Sequence, residues 1–273
     1  MSSPHRAMPV FSPAGAAQTT PLPERLPRIK APAVKGLTPP RPIRAMPMTR
    51  RYEAMWLAEN GDIDSSTRIA PATPLFEEAF SALARGAVLT GECGPVAIED
   101  VVPGIRVLTA DGTLERVTWV GSMMFYPAPQ DGSPSAGLTR ITAEAMGPGR
   151  PLPDLVLGPR ARICLRDARL RQMMGLEAAH VPARAFIDGV SVIEVTPASP
   201  VAVYHLVLER HATLKVLGLE VESYHPGEGL EEMIDPRMLS LFEGMFPQMR
   251  SVRDFGPLAL PRLTRFEVEE LLG

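Results

Sequence analysis

An all-β core with helices on its flanks is the fold class this sequence predicts, on three observations. From Val88 onward, short runs rich in β-branched residues are divided by Gly and Pro, the pattern of many brief strands. Helical spacing is confined to one segment before that region and to the end of the chain. The first 50 residues are set apart, with eight Lys or Arg against the single acid Glu24 and 11 of the 30 prolines. The whole chain has 273 residues, 45% apolar and 22% charged, with a formal charge of −3, the composition of a globular protein with one main domain plus tails.

Residues 1–48 are expected to form a disordered, basic, Pro-rich tail. Each proline fixes φ and removes a backbone donor, as in Pro39-Pro40-Arg41-Pro42, and the segment offers no apolar face to bury. A nucleic-acid-binding arm, an organelle transit peptide and a ligand for a proline-recognising domain are the competing readings. Only Phe11 is available for stacking and the proline density prevents an amphipathic helix, so a solvated extension is the simplest reading.

Residues 49–72 read as a β-hairpin. Tyr52, Ala54 and Trp56 alternate with Arg51, Glu53 and Met55, and Asn60-Gly61 suggests a tight primed turn. A domain over 73–228 opens with a helix: Thr73 is its N-cap, Pro74 its first residue, and Leu75, Phe76, Ala79, Phe80 and Leu83 recur at helical spacing before a stop at Gly86. Strands follow over 105–109, 117–120, 190–195 and 201–208, with Asp111-Gly112 as a turn. Residues 229–273 form a helical extension, one segment opening at Asp235-Pro236 and another at the capping box Thr264-x-x-Glu267.

A folded core of roughly 150–200 residues buries roughly 70% of its unfolded surface and needs neither disulfide nor metal, which leaves Cys93 and Cys164 as incidental thiols. No run reaches the roughly 18 apolar residues of a membrane span, and the amino terminus lacks the apolar core of a secretory signal. The expectation is a cytoplasmic protein without membrane or nucleic-acid partner and without cofactor. A protein partner is left open, and export without a signal is compatible with the sequence.

Five blocks, in order, resemble a known family. Ala82-Leu83-Ala84-Arg85-Gly86 through Val101-Val102-Pro103-Gly104-Ile105-Arg106-Val107-Leu108-Thr109 is similar to the opening of a bacterial Hint domain, in which Cys-Phe-x-x-Gly-Thr precedes V-x-x-E-D-L-x-P-G-D-x-V-L-T. Val117-Thr118-Trp119-Val120-Gly121, Asp154-Leu155-Val156-Leu157-Gly158-Pro159 and Val181-Pro182-Ala183-Arg184 follow, and then Val203-Tyr204-His205-Leu206 leading to Glu222-Ser223-Tyr224-His225-Pro226-Gly227. The resemblance covers residues 82–227. It implies the fold shared by hedgehog autoprocessing modules and inteins, a disc of short bent strands, which is also what brief β runs separated by Gly and Pro would build.

The resemblance also states what the family's chemistry requires. A Cys or Ser at the first position attacks the preceding carbonyl, a proton carrier assists, and donors stabilise the oxyanion. Here Ala82 stands at the nucleophile position. Ser81 is one residue upstream, where its side chain points in another direction. The family's S-P-x-H-R-V block corresponds to Gly158-Pro159-Arg160-Ala161-Arg162-Ile163, with Ala161 in place of the histidine, and Arg160 and Arg162 cannot shuttle a proton near neutral pH. The terminal His-Asn pair is replaced by Glu222 and Ser223, and serine cannot cyclise to a succinimide. His211 survives from the same block, where a structural hydrogen-bonding role is the simpler reading.

Groups that act as a unit fail together, so the resemblance implies a Hint-type fold without autoprocessing, a non-catalytic binding or scaffold module. The alternative is residual self-processing by an N–O acyl shift using Ser81, with His205 or His211 as proton carrier. A metal site from His180, His205, His211 and His225 with Cys164 is a third possibility, but these residues lack short-range ligand spacing and no metal is expected. Gly147-Pro148-Gly149-Arg150-Pro151 reads as a loop rather than a phosphate cradle, and Met173, Met174, Met238, Met245 and Met249 read as packing residues.

Overall fold

The computed structural model describes residues 48–126 and 137–273. The tail expected over 1–48 lies, apart from Met48, outside the described residues. The described residues open with a hairpin of β1 (Thr49–Leu57) and β2 (Ile63–Pro71), followed by a short helix α1 (Pro74–Glu78). Then come β3 (Leu83–Ala84), β4 (Val88–Gly91), β5 (Gly94–Ala97), β6 (Arg106–Leu108), the long β7 (Leu114–Phe125), β8 (Leu138–Ile141), β9 (Leu155–Leu157) and β10 (Arg162–Leu165). After helix α2 (Ala168–Met174) lie β11 (Ala179–Pro182), β12 (Val192–Val195), β13 (Val201–Leu208), β14 (Thr213–Val216) and β15 (Leu219–Glu222), and the chain ends with α3 (Leu230–Met233), α4 (Pro236–Glu243) and α5 (Arg265–Leu272).

The strand ladders are antiparallel and join in the order β11-β10-β15-β14-β4-β6-β7-β13-β3-β9-β8-β12, with β1 on β7, β2 on β1 and β5 on β4. Strand β7 holds the two halves together: Leu114, Glu115 and Arg116 pair with β6, and its remainder pairs with β13 and β1. Its burial alternates from Leu114 to Trp119, and Val120 and Gly121 are then buried as well, where the strand passes from one half to the other. At Gly121 the space is tight, because a Cβ there would lie 2.0 Å from the Trp119 ring.

Two expectations are corrected. Asn60-Gly61 does not form the primed turn, which needs positive φ at both central residues. Only Gly61 is left-handed, at φ +87°; Asn60 Oδ1 accepts the Asp62 N–H at 3.1 Å, and Ala58 N–H reaches Asp62 O at 2.9 Å to close a longer loop. The leading helix ends at Glu78, well before Gly86, and Thr73 makes no side-chain cap bond. Leu83 and Ala84 lie in β3 instead, where Leu83 pairs with Tyr204 and Leu157 and the Ala82 N–H donates to Tyr204 O at 2.9 Å. Pairing on both sides outweighs a helical preference of only tenths of a kcal/mol per residue.

The hydrophobic interior has two connected parts. One lies among the short strands and takes in Val107, Val117, Leu157, Ile163, Leu206 and Leu214, with Val268 and Leu271 of α5 closing one side. The other is aromatic: Trp119 packs on Phe80 and Phe246, Phe76 on Phe242, and Tyr224 stacks on Phe246. Trp119 Nε1 donates to Met245 O at 3.0 Å, so the hairpin, the strands and the C-terminal segment share one aromatic centre. The capping box at Thr264 and Glu267 forms and starts α5, as its spacing predicted. Among the described residues no helix is long and apolar enough to cross a membrane.

Candidate functional site

The peptide joining Ser81 to Ala82 lies inside the molecule, with both residues almost wholly buried. Its Ala82 N–H donates to Tyr204 O, and the following peptide is held as well, Gly158 N–H donating to Ala82 O at 2.8 Å. Gly158 also explains the tight approach, since a Cβ on it would fall 2.1 Å from Ser81 O. The Ala82 and Ala161 methyl groups are both buried members of the apolar core. The Ser81 hydroxyl is turned back to Glu77 O, donating at 2.6 Å, a bond to the carbonyl four residues earlier.

His205 lies beside this junction on β13. Its Nδ1 donates to Glu78 O at 2.9 Å and its Nε2 faces Glu222 O at 3.3 Å. Burial holds its pKa below the ordinary value, although both carbonyls favour the charged ring. Among the described residues no hydrogen bond links Ser81 Oγ to His205 or His211.

The polar centre is built around Glu222, at the end of β15 and only 3% exposed. Arg262 Nε donates to Glu222 Oε1 at 2.8 Å, His180 Nδ1 lies 2.9 Å and His211 Nε2 3.3 Å from the same oxygen, and Arg162 Nε lies 3.6 Å from Oε2. Burial pushes the Glu222 carboxyl up, but bonds from the two histidines and the Arg262 charge outweigh it and hold it well below the carboxylate range. Glu222 is therefore ionised. Arg162 also reaches Glu78 Oε1 at 3.3 Å, so the arginine of the S-P-x-H-R-V block is an ion-pair partner.

Arg262 arrives from the C-terminal segment, which lies along β11. His180 N–H donates to Pro261 O at 2.8 Å, Leu263 N–H to His180 O at 3.0 Å, and Ala259 N–H to His211 Nδ1 at 2.9 Å. Arg262 Nη2 also donates to His225 O at 2.7 Å. His225 accepts from Gly227 N–H at Nδ1 and donates from Nε2 to Gly256 O; burial, with the charges around it, lowers its pKa to about 4.

Of the proposed metal-ligand set, His180 and His211 bring ligand atoms together among the described residues, and the third member of that group is Glu222. His205, His225 and Cys164 are not part of it; burial raises the Cys164 thiol to about 12. A metal-binding imidazole offers a lone pair on one nitrogen and a proton on the other. His211 has the reverse arrangement, because its Nδ1 accepts the Ala259 N–H and its proton must sit on Nε2, the atom facing Glu222. With Arg262 already on the carboxylate, the residues present do not fit a metal. Titrating the protein with zinc should leave its Tm unchanged; a rise that grows with zinc concentration would refute this assignment.

Beside His211 is a cleft of about 410 Å³, lined by Asp111, Arg166, Arg210, Leu258 and Leu260 among others. Its arginines are already paired, Arg166 with Glu220 and Arg210 with Glu115.

Sequence reasoning thus located the junction, Ser81, His205, His211, Glu222 and Ser223. It missed Arg262, His180 as a partner of Glu222, and Glu78. A buried acid needs a cation to meet it, but nothing local in Pro261-Arg262-Leu263 marks Arg262 as that partner.

Short antiparallel strands joined in one network, with a buried peptide just before β3, make this a mainly β domain. The chain belongs to the Hint domain family, whose model matches residues 81–228, more than half its length. A search among curated proteins finds no match.

Proposed function

We propose that this is a Hint module kept for its fold rather than for self-processing: a non-catalytic binding or scaffold element, with its Pro-rich amino-terminal segment as the tether to a protein partner. The observation that carries this reading is the pair of methyl groups, Ala82 and Ala161, packed in the core where the family's nucleophile and histidine belong. An alkyl group cannot attack a carbonyl or carry a proton, and two such losses in one unit remove the reaction rather than slow it. Two further features support it. Ser81 Oγ is committed to Glu77 O, and Glu222, at the position of the family's penultimate histidine, anchors Arg262 of the following segment. The free cysteines, Cys93 and Cys164, accord with the reducing cytoplasm as its location.

Intact-mass measurement tests the central claim. After prolonged incubation, with and without hydroxylamine, the mass should stay at 29.6 kDa. Hydroxylamine-accelerated fragments dividing between Phe80 and Ser81 would instead select an N–O acyl shift through Ser81. The binding role is checked separately by affinity capture with the full chain and with a variant lacking residues 1–48, where loss of a reproducible partner on deletion is the expected result.

A further inference from the structure

The hairpin precedes the family match, and its outer strand leaves one side open. Strand β2 pairs with β1 and, among the described residues, with no other strand. The parity of its hydrogen bonds follows from the two ends of the ladder. Ala58 N–H bonds to Asp62 O at 2.9 Å and Ala72 N–H to Met48 O at 2.8 Å, so the even-numbered residues of β2 turn their backbone groups toward β1. The odd-numbered ones, Ile63, Ser65, Thr67 and Ile69, turn theirs outward. Pro71, which has no N–H to offer, falls on the outward side, where a strand edge tolerates proline.

The order of residues along this edge is self-complementary. Antiparallel pairing of β2 with a second β2 about Ser66 sets Ser65 against Thr67, Asp64 against Arg68, and Ile63 against Ile69, each twice by symmetry. The backbone alternation agrees with that register. Ser65–Thr67 and Ile63–Ile69 become hydrogen-bonded pairs, using the outward groups. Asp64–Arg68 becomes a non-hydrogen-bonded pair, the kind in which facing side chains come closest. Asp64 and Arg68 are exposed and, among the described residues, neither takes part in an ion pair; the Arg68 guanidinium lies over Gly244 at the end of α4. Ile63 is 48% and Ile69 72% exposed, so the pairing would also cover two apolar side chains that each copy leaves in water. A single offset in register would lose both the charge match and the isoleucine match, because the side chains would change faces.

We propose that β2 is a homodimer edge: two copies of this chain join by antiparallel β2–β2 pairing about Ser66, with reciprocal Asp64–Arg68 ion pairs. A second copy is favoured over an unrelated strand because charge and backbone parity both close on themselves about one residue, which an isologous interface requires.

Sedimentation of the full-length protein over a range of concentrations, combined with charge reversal, tests this. The wild type should reach twice the 29.6 kDa chain mass. Asp64→Arg and Arg68→Asp each place like charges opposite one another and should weaken dimerisation at least about tenfold, each facing pair changing from attraction to repulsion. The D64R/R68D double variant should dimerise again, and an equimolar mixture of the two single variants should form a heterodimer. Thr67→Pro removes one outward N–H, leaves the β1 ladder intact, and should also favour the monomer. A wild type that stays monomeric at every concentration overturns the proposal, as does a dimer indifferent to all of these substitutions. Failure of the mixture to pair overturns the register about Ser66.

Discussion

Glu222→Ala is expected to destabilise the protein by about 3 kcal/mol, because it leaves the partly buried Arg262 guanidinium beside two imidazoles with no anion to meet it. For a chain of this size each kcal/mol corresponds to roughly 2–4 °C in Tm, so the loss is readily seen in a thermal melt. Arg262→Ala should cost less, since the carboxylate keeps His180 and His211. Equal losses from the two substitutions would show that the charge is not the centre of this cluster.

The same pair of proteins gives a signed dependence on pH. Glu222 is depressed in the folded state, so its contribution is fully present above the unfolded carboxyl pKa of about 4.3 and is lost as pH falls toward the lower folded value. The gap between wild type and Glu222→Ala should be constant near neutrality and narrow below about pH 4. His205 and His225 are also depressed, in both cases by burial first, so they withdraw stability as pH falls from about 6.5 toward their folded values. The Glu222 charge raises both histidines, so in Glu222→Ala they are depressed further and this decline is at least as steep as in the wild type. A gap that failed to narrow below about pH 4, where the carboxylate takes up its proton, would contradict the assignment of an ionised Glu222.

Gly158→Ala is the second large effect. The added methyl would lie 2.1 Å from Ser81 O and 2.6 Å from its carbonyl carbon, so the backbone on one side must move. Overpacking of this kind costs about 1–3 kcal/mol, and the rigid neighbour places the expectation at the upper end. Gly158→Ser, the residue that the resemblance places here, should be no better, because the clash is at Cβ. Melting temperatures of both variants within a degree or two of wild type would show that the junction can yield.

Much of the β architecture was legible from local patterns. The strands after Val88 are marked by β-branched residues between Gly and Pro, and α5 by Thr264 and Glu267, since a capping box is closed by residues three positions apart. Pattern was misleading where tertiary pairing competed with it. Leu83 has helical spacing from Phe76 and Phe80, yet backbone partners on both sides draw it into β3. Asn60-Gly61 has turn chemistry for a two-residue loop, yet the Asn60 side chain bonds to Asp62 and the loop lengthens.

For the candidate site the division is similar. Sequence alone established that positions 82 and 161 carry methyl groups and that Glu222 and Ser223 stand where the resemblance places His-Asn, because the identity of a side chain does not depend on the fold. Only the tertiary structure decided that Arg262 meets Glu222, that Ala259 fixes the proton of His211 on Nε2, and that Ser81 turns to Glu77. Those facts depend on which distant backbone and side-chain groups come within about 3 Å, a distance set by packing rather than by separation along the chain.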